Sequence, residues 1–251
     1  MTRLGRDFLK DTIRQRVDFS ATDQHRGVRP PPPQKPCPPG AERVALPDPD
    51  GLKRLARISL WNAIRKRRSV RSFSSGGVTI EELSWLLWAT QGVCDIHGHS
   101  TLRTVPSAGA RHALETYICV FRVKGMDSGI YRFLPVDHAL CRVASPADLE
   151  GRLIEGCLNQ QFAGRSAVTF VWSALPYRME WRYGAASYKV LAMDAGHACQ
   201  NLYLACEAIG CGTCAIGAYD QRAMDRLLGL DGEDEFVIYA APVGKSPSGG
   251  G

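Results

Sequence analysis

Residues 188–217 read YKVLAMDAGHACQNLYLACEAIGCGTCAIG, and no other stretch restricts the fold of this chain so tightly. From Val190 to Ile209 there is no proline and a single glycine, so a helix of about five turns is permitted, and the length favours helix over strand. Val190, Leu191, Ala195, Ala198, Leu202, Ala205, Cys206 and Ile209 recur at three- and four-residue steps, while Met193, Leu204 and Ala208 put apolar atoms on other faces. That pattern predicts a helix buried nearly all round. The small residues Ala192, Ala195, Gly196, Ala198 and Ala205 allow close backbone approach to a sheet, to partner helices or to a second copy of the chain. Gly210 is placed to end the helix in the left-handed conformation. Residues 211–217 are too small and glycine-rich to make core, so their backbone is expected to approach something flat.

One substantial domain is expected from 251 residues, and 45% apolar with 22% charged residues describe an ordinary globular protein. No apolar run approaches the ~20 residues that span a bilayer, and the N-terminus lacks the apolar core of a signal peptide. These features predict a cytoplasmic protein without a membrane partner. Nine cysteines, odd in number and irregularly spaced, predict reduced thiols over a disulfide framework. Charge is uneven: residues 1–71 hold 17 Lys and Arg against 7 Asp and Glu, or +10, and the rest hold 14 against 18, or −4. A basic front can meet nucleic acid, but the cations peak at residues 65–71, where a phosphate-bearing small ligand is served equally well.

Residues 1–28 carry a weak amphipathic pattern diluted by charge, which predicts a helical or floppy arm. RPPPPQKPCPPG at 29–40 is a polyproline II segment and is expected to act as a spacer. The chain therefore divides into an arm and linker, 1–43, and a folded domain, 44–251. Ser59 can cap a short helix at 60–67 with Leu60, Trp61 and Ile64 as its apolar face. RRSVRSF follows, and if 67–73 is extended, Arg67, Ser69 and Arg71 share one side, a grouping suited to gripping a phosphate. Thr79 and Glu82 form a capping box for a helix at 79–91, which Gly92 ends. CDIHGH at 94–99 has no second pair of ligands nearby, so no metal site is expected.

Pro106, Ser107, Ala108 and Gly109 form a tight small-residue turn before a strand at 115–123. A hairpin through Asp127-Ser128-Gly129 leads to strands at 130–134 and 139–143. Ser145-Pro146 should open a helix running to about Phe162, AVTFVWSA at 167–174 is a buried strand, and a helix at 221–228 and a strand at 236–242 close the domain. Strands and helices alternate without a repeated βαβ spacing, which predicts an α+β sandwich.

RRSVRSF, LSWLLWATQGV at 83–93, PSAGARHALETYICV at 106–120, GIYRFLPVDHAL at 129–140, YGAASYK at 183–189 and DAGHACQNLYLACEAIGCGTCAIGAYD at 194–220 occur in this order. Together they resemble the nitroreductase-like FMN flavoproteins, specifically the SagB-type (thiazole-forming peptide oxidase) dehydrogenase branch. The resemblance implies a dimeric α+β sandwich with a mostly antiparallel sheet, a long central helix and FMN at the interface of a homodimer. By the same resemblance Arg67, Arg68 and Ser69 hold the phosphate and ribityl chain, and Arg71 the pyrimidine edge. Pro106, Ser107, Ala108 and Gly109 lie by the ring, Ile216 and Gly217 pass flavin N5, and Gly244 and Lys245 return to the phosphate. Tyr188 and Lys189 are the candidate catalytic pair; azoline-oxidising members use the order Lys-Tyr, and the order here is reversed.

The implied activity is two-electron transfer between a reductant, with NAD(P)H as a candidate co-substrate, and a small-molecule or peptide substrate. Azoline-to-azole peptide dehydrogenation is the alternative within the family. Outside it stand a flavin carrier and a basic nucleic-acid or scaffold-binding module. Cys211 and Cys214 are spaced as a redox CxxC, but are read as space-filling residues.

Overall fold

The computed structural model describes residues 4–247. Seven strands form one sheet in the order β1-β6-β5-β4-β7-β9-β8, every pair antiparallel. They are β1 (Arg43–Ala45), β4 (Leu114–Val120), β5 (Gly129–Leu134), β6 (Ala139–Ala144), β7 (Val168–Ala174), β8 (Cys211–Thr213) and β9 (Phe236–Lys245). A separate hairpin pairs β2 (Val93–His97) with β3 (Ser100–Arg103). The helices are α1 (Leu4–Leu9), α2 (Leu60–Lys66), α3 (Ile80–Gln91), α4 (Leu149–Gly156), α5 (Pro176–Tyr183), α6 (Tyr188–Ala208) and α7 (Gln221–Leu228).

Successive strand residues point to opposite faces, and the core splits accordingly. Ile118, Phe133, Phe170 and Trp172 pack under α3 and α6 against Leu83, Leu86, Ala195, Ala198 and Leu202. Tyr117, Cys119, Val171 and Val237 face the other way, against Leu149 and Leu153 of α4 and Met224 and Leu227 of α7. The result is the α+β sandwich the residue pattern predicts, with the long helix lying on one face of the sheet.

The Thr79–Glu82 capping box forms at α3 with both reciprocal bonds. Gly210 stops α6 at φ +65°. Gly92 ends α3 for a different reason than handedness: its φ is −58°, and a side chain there would run into Trp88. The helix expected at Ser145-Pro146 starts later, at Leu149, because Asp148 takes the cap by accepting from Gly151 N. It ends at Gly156, before Leu158 and Asn159 enter the left-handed region at φ +54° and +62°.

Three expectations need correction. The long helix is not buried all round within one chain: Ala192, Met193, Gly196, His197 and Gln200 are exposed along one face. The apolar face of α2 is likewise open, with Leu60 68%, Trp61 72% and Ile64 58% exposed.

The polyproline segment is not a free spacer. A polyproline II backbone has no internal hydrogen bonds, so its carbonyls are available, and the sheet takes them. Arg132 Nη1 donates to Lys35 O and Nη2 to Pro36 O, both at 2.7 Å, while Arg103 Nη2 donates to Pro33 O at 2.6 Å. Lys35 N donates to Glu115 Oε1 at 2.9 Å, and Lys35 Nζ to Glu235 Oε2 at 2.6 Å.

The thiols are not all reduced, since Cys37 of this strap is joined to Cys141 of β6 by a disulfide. The other seven cysteines are free. Among the described residues no helix is long and apolar enough to cross a membrane.

Candidate functional site

Two clusters of the expected site residues are formed, at opposite halves of α6. The first begins where α2 ends. Arg67 N still donates to Ala63 O at 3.0 Å, but its backbone has turned extended, and the next residues run beside β8. Ser69 bridges Thr213, Val70 N donates to Thr213 O at 2.9 Å, and Ser74 N donates to Lys245 O at 3.0 Å. Two glycines permit this approach: a Cβ on Gly212 would lie 2.6 Å from Val70, and one on Gly244 would lie 2.7 Å from Phe73. Gly244 thus serves internal packing.

Tyr203 pins the cluster together. Its hydroxyl is 3.1 Å from Ser69 Oγ and accepts from Ala215 N at 2.8 Å, and Arg67 Cζ lies 5.2 Å from its ring centroid. The four expected cations are not equivalent. Arg68 turns back on the carbonyls of Arg65 and Arg67, at 2.9 and 2.8 Å, closing the end of α2. Lys245 Nζ donates to Glu82 Oε1 and to Ile209 O. Burial works against the Lys245 charge, and the bond to Glu82 leads the interactions that more than offset it, so its pKa rises. Arg67 and Arg71 have no carboxylate within 4 Å among the described residues and remain available. Ile216 is buried and exchanges both backbone bonds with Ala240, at 2.7 and 3.1 Å. Gly217 beside it is exposed, and the nearest atom to a Cβ placed there is Tyr239 Cε2 at 3.8 Å, which leaves room for a flat ligand.

The second cluster is the turn at 106–109. Pro106 is exposed at its start, and Ser107 Oγ accepts from His112 N at 2.9 Å. Gly109 has φ +59°, and a side chain on it would strike Tyr183 and Arg182 of α5. Ala110 and His112 follow at φ +52° and +45°, so three of four residues sit in the left-handed region. Arg178 supports this backbone, donating from Nη1 to His112 O at 3.3 Å and from Nη2 to Glu115, which also accepts from Arg132. His112 Nε2 is 2.9 Å from Thr101 O, and burial followed by the charge of Arg103 pushes its pKa down to about 3. Ala108 packs with Leu191 of α6, and Asp194 stands one turn further on.

Tyr188 and Lys189 start α6 at this same end. Tyr188 is 45% exposed, and burial with the neighbouring Glu180 raises its phenol pKa. Lys189 Nζ is 3.7 Å from Asp11 Oδ1 of the N-terminal arm, an ion partner with no trace in local sequence spacing. Cys211 and Cys214 are both buried, and burial pushes the Cys211 thiol up to about 12. Among the described residues no group of three His, Cys, Asp or Glu is placed to hold a metal ion.

Residues 64–245 match the model of the nitroreductase family. The chain belongs to the nitroreductase family. A Methanocaldococcus jannaschii protein described as a candidate nitroreductase is 32% identical over 202 residues, 80% of this chain and 96% of its own length. A solved nitroreductase-type structure from Ralstonia eutropha superposes with a TM-score of 0.69 at 27% identity, covering 85% of this chain and 94% of that one. The Escherichia coli microcin synthetase McbBCD complex, solved with truncated pro-MccB17 bound, gives a TM-score of 0.62 at 18% identity, covering 98% of this chain and 92% of that one. Membership makes this an oxidoreductase of the nitroreductase type and supports flavin use.

Within this nitroreductase-family chain, the structure fits a flavin at the level of donor chemistry. It offers the guanidinium groups of Arg67 and Arg71, neither ion-paired among the described residues, a hydroxyl at Ser69 and an open glycine face at 217. Sequence reasoning missed Tyr203 and Asp194. Both carry a legible signal, because a polar group among Leu191, Ala195, Ala198, Leu202 and Cys206 must find a partner or leave the buried stripe.

Proposed function

We propose that the protein is an FMN-dependent oxidoreductase acting as a homodimer, each site combining the arginine cluster of one chain with the 106–109 turn of the other. The observation that carries this reading is the separation of the clusters along α6. Asp194 and Tyr203 are nine residues apart and Leu191 and Tyr203 twelve, so the half-sites lie about 14 to 18 Å apart along the axis. The exposed face between them carries Ala192 and Gly196, small enough for a second α6 to cross closely. A two-fold crossing brings unlike halves together, since each patch then meets the other patch of its copy. Beside this face lies an apolar groove of about 410 Å³ lined by Leu60, Trp85, Trp88 and Leu204, which the second copy would also cover.

Bound flavin supplies two-electron chemistry, and this chain's residues hold and bias it. Arg67 and Ser69 suit the phosphate and ribityl chain, and Arg68 supports them by closing the end of α2. Arg71 is a free cation for the pyrimidine edge, where it favours negative charge on the reduced ring. Gly217 and Ile216 offer backbone to the ring edge, the 106–109 turn supplies a flat wall, and Gly244 and Lys245 support the phosphate end indirectly, through Phe73 and Glu82. NAD(P)H is the proposed reductant. Tyr188 and Lys189 stand where a substrate enters.

A peptide substrate, as in azoline dehydrogenation, is the second reading; the match to the microcin synthetase complex extends over 98% of the chain, the N-terminal arm included. The test is spectral. Purified protein should carry about one FMN per chain and bleach with NADH or NADPH under anaerobic conditions. Replacing both Arg67 and Arg71 by alanine should give colourless protein with unchanged circular dichroism. Stoichiometric FMN in that variant would reject the assignment.

A further inference from the structure

The N-terminal arm is docked on the domain, along α5. Gln24 N donates to Trp181 O at 2.8 Å, Trp181 Nε1 to Val28 O at 2.9 Å, and Tyr177 Oη to Asp23 Oδ2 at 2.8 Å. Val17 packs where α5 gives way to α6, its Cγ1 3.5 Å from the place a Cβ on Gly184 would take. Between arm and helix lies a cavity of about 540 Å³, walled by Phe19, Thr22, Gln24 and His25 on the arm and by Arg182 and Tyr183 on α5. That is the size of a small-molecule site. The same two α5 residues touch the 106–109 turn, since a Cβ on Gly109 would lie 2.6 Å from Tyr183 Oη and 2.8 Å from Arg182 Cδ. The cavity therefore borders the wall assigned above to the flavin ring.

Its charge is unbalanced. The Arg182 guanidinium lies 5.5 Å from the Tyr183 ring centroid and, among the described residues, has neither a hydrogen bond nor a carboxylate within 4 Å. Arg111, 4.9 Å from the Trp181 ring centroid, also lacks a carboxylate partner, and burial followed by the charge of Arg182 lowers its pKa. The acids of the arm are engaged elsewhere: Asp23 with Tyr177 and Arg26, Asp18 with Ser20, Asp11 with Arg14 and Lys189. The Thr22 hydroxyl is used on Phe19 O, whereas the side chains of Gln24 and His25 make no hydrogen bond among the described residues. Two neighbouring cations without a counter-ion favour an anion between or beside them, and a guanidinium takes carboxylate or phosphate through paired donors.

We infer that this cavity is a substrate subsite for an anionic group, a carboxylate or a phosphate, with Arg182 as its counter-ion and Gln24 and His25 of the arm as further donors. The inference rests on the flavin oxidoreductase reading and adds to it the substrate class. Phe19 and Tyr183 give the subsite aromatic walls suited to a flat body carrying the anion. The match to the family model begins at residue 64, so the arm's share of the subsite lies outside the matched residues.

Such an anion can come with the reductant or with the acceptor, and calorimetric titration of the full chain separates the two without turnover. NADP+ against NAD+ reads a phosphate; 4-nitrobenzoate against its methyl ester reads a carboxylate. In at least one pair the member bearing the extra anion should bind about tenfold more tightly or better, the scale of a hydrogen bond to a charged group. Arg182→Gln should erase that preference, Arg182→Lys should keep part of it, and His25→Ala should reduce it.

Equal affinities within both pairs would overturn the inference. So would an Arg182→Gln protein that keeps the wild-type preference, which would assign the attraction to the basic chain at large. Should Arg182→Gln melt far below wild type, having lost its packing on the turn, the exposed His25→Ala decides, and an undiminished preference there overturns the subsite. Wild-type protein that takes up no FMN rejects the cofactor reading, whereas FMN-loaded protein without anion preference rejects the subsite alone.

Discussion

At the scale of single residues, the chemistry of this chain lies in which polar groups are satisfied internally and which are not. Arg68 and Lys245 resemble Arg67 and Arg71 in sequence, but their charges are used on helix-end carbonyls and on Glu82. Nothing in RRSVRSF distinguishes Arg68 from its neighbours, although its acceptors lie only one and three residues away, and the partner of Lys245 lies on another element. His112 shows how far burial can go. With its pKa down to about 3 against an ordinary 6.5, it is neutral in the folded protein and charged in the unfolded chain throughout that interval. The unfolded state then binds one more proton, so acid favours unfolding, and stability rises with pH until about 6.5. The slope approaches about 1.4 kcal/mol per pH unit where the difference is a full proton. His138 is also shifted down by burial and adds a contribution of the same sign. Between pH 6.5 and 5, above most carboxylate titrations, His112→Asn should flatten the pH dependence of denaturant midpoints while tolerating the φ +45° backbone. An undiminished slope would show that His112 is charged when folded.

At the scale of elements, periodicity and caps were legible where an element's ends and faces are decided locally. The α3 capping box, the Ser59 cap of α2 and the Gly210 stop all depend on residues within a few positions. The failures depended on distance. The polyproline segment looks like a spacer because proline stiffness is local, whereas its bonds run to Arg103, Arg132, Glu115 and Glu235, 70 to 200 residues away. Cys141 is likewise 104 residues from Cys37. This reverses the natural expectation that the front 43 residues can be removed freely. Without the strap, Glu115 and Arg132 lose backbone partners, and Glu235 loses the Lys35 ammonium. A chain beginning near Glu42 should therefore melt well below the full protein, since a buried hydrogen-bonding group left without its partner is typically a loss of about 1 to 3 kcal/mol. Cys37→Ser separates the covalent tie from the strap's hydrogen bonds: it should cost about 2 to 5 kcal/mol by chemical denaturation under non-reducing conditions and much less under reducing ones. Equal stability of the two proteins in both conditions would mean the disulfide does not form.

At the scale of the whole molecule, the site residues marked by the family resemblance are all present, but one chain does not gather them. Their two groups stand at opposite halves of α6, and what lies between them is an open face. A helix whose apolar residues occur on every side promises burial all round, and a single copy delivers only part of it; in the proposed homodimer a second copy would cover the rest. Gly196 sits in the middle of that face. A Cβ placed on it meets no atom within 4 Å in its own chain. Leucine there harms neither the core nor the helix, and glycine is about 0.8 to 1 kcal/mol poorer than the best helix formers. The monomer fold should therefore melt no lower in Gly196→Leu than in wild type. Two such leucines at a close helix crossing are a different matter, since overpacking costs about 1 to 3 kcal/mol, or roughly five- to more than a hundredfold in the dimer dissociation constant. If each flavin needs both half-sites, FMN should be lost in parallel with the dimer as the protein is diluted. Light scattering and flavin absorbance on one dilution series decide the matter: flavin that stays bound to a monomer of Gly196→Leu would show that a single chain makes the whole site.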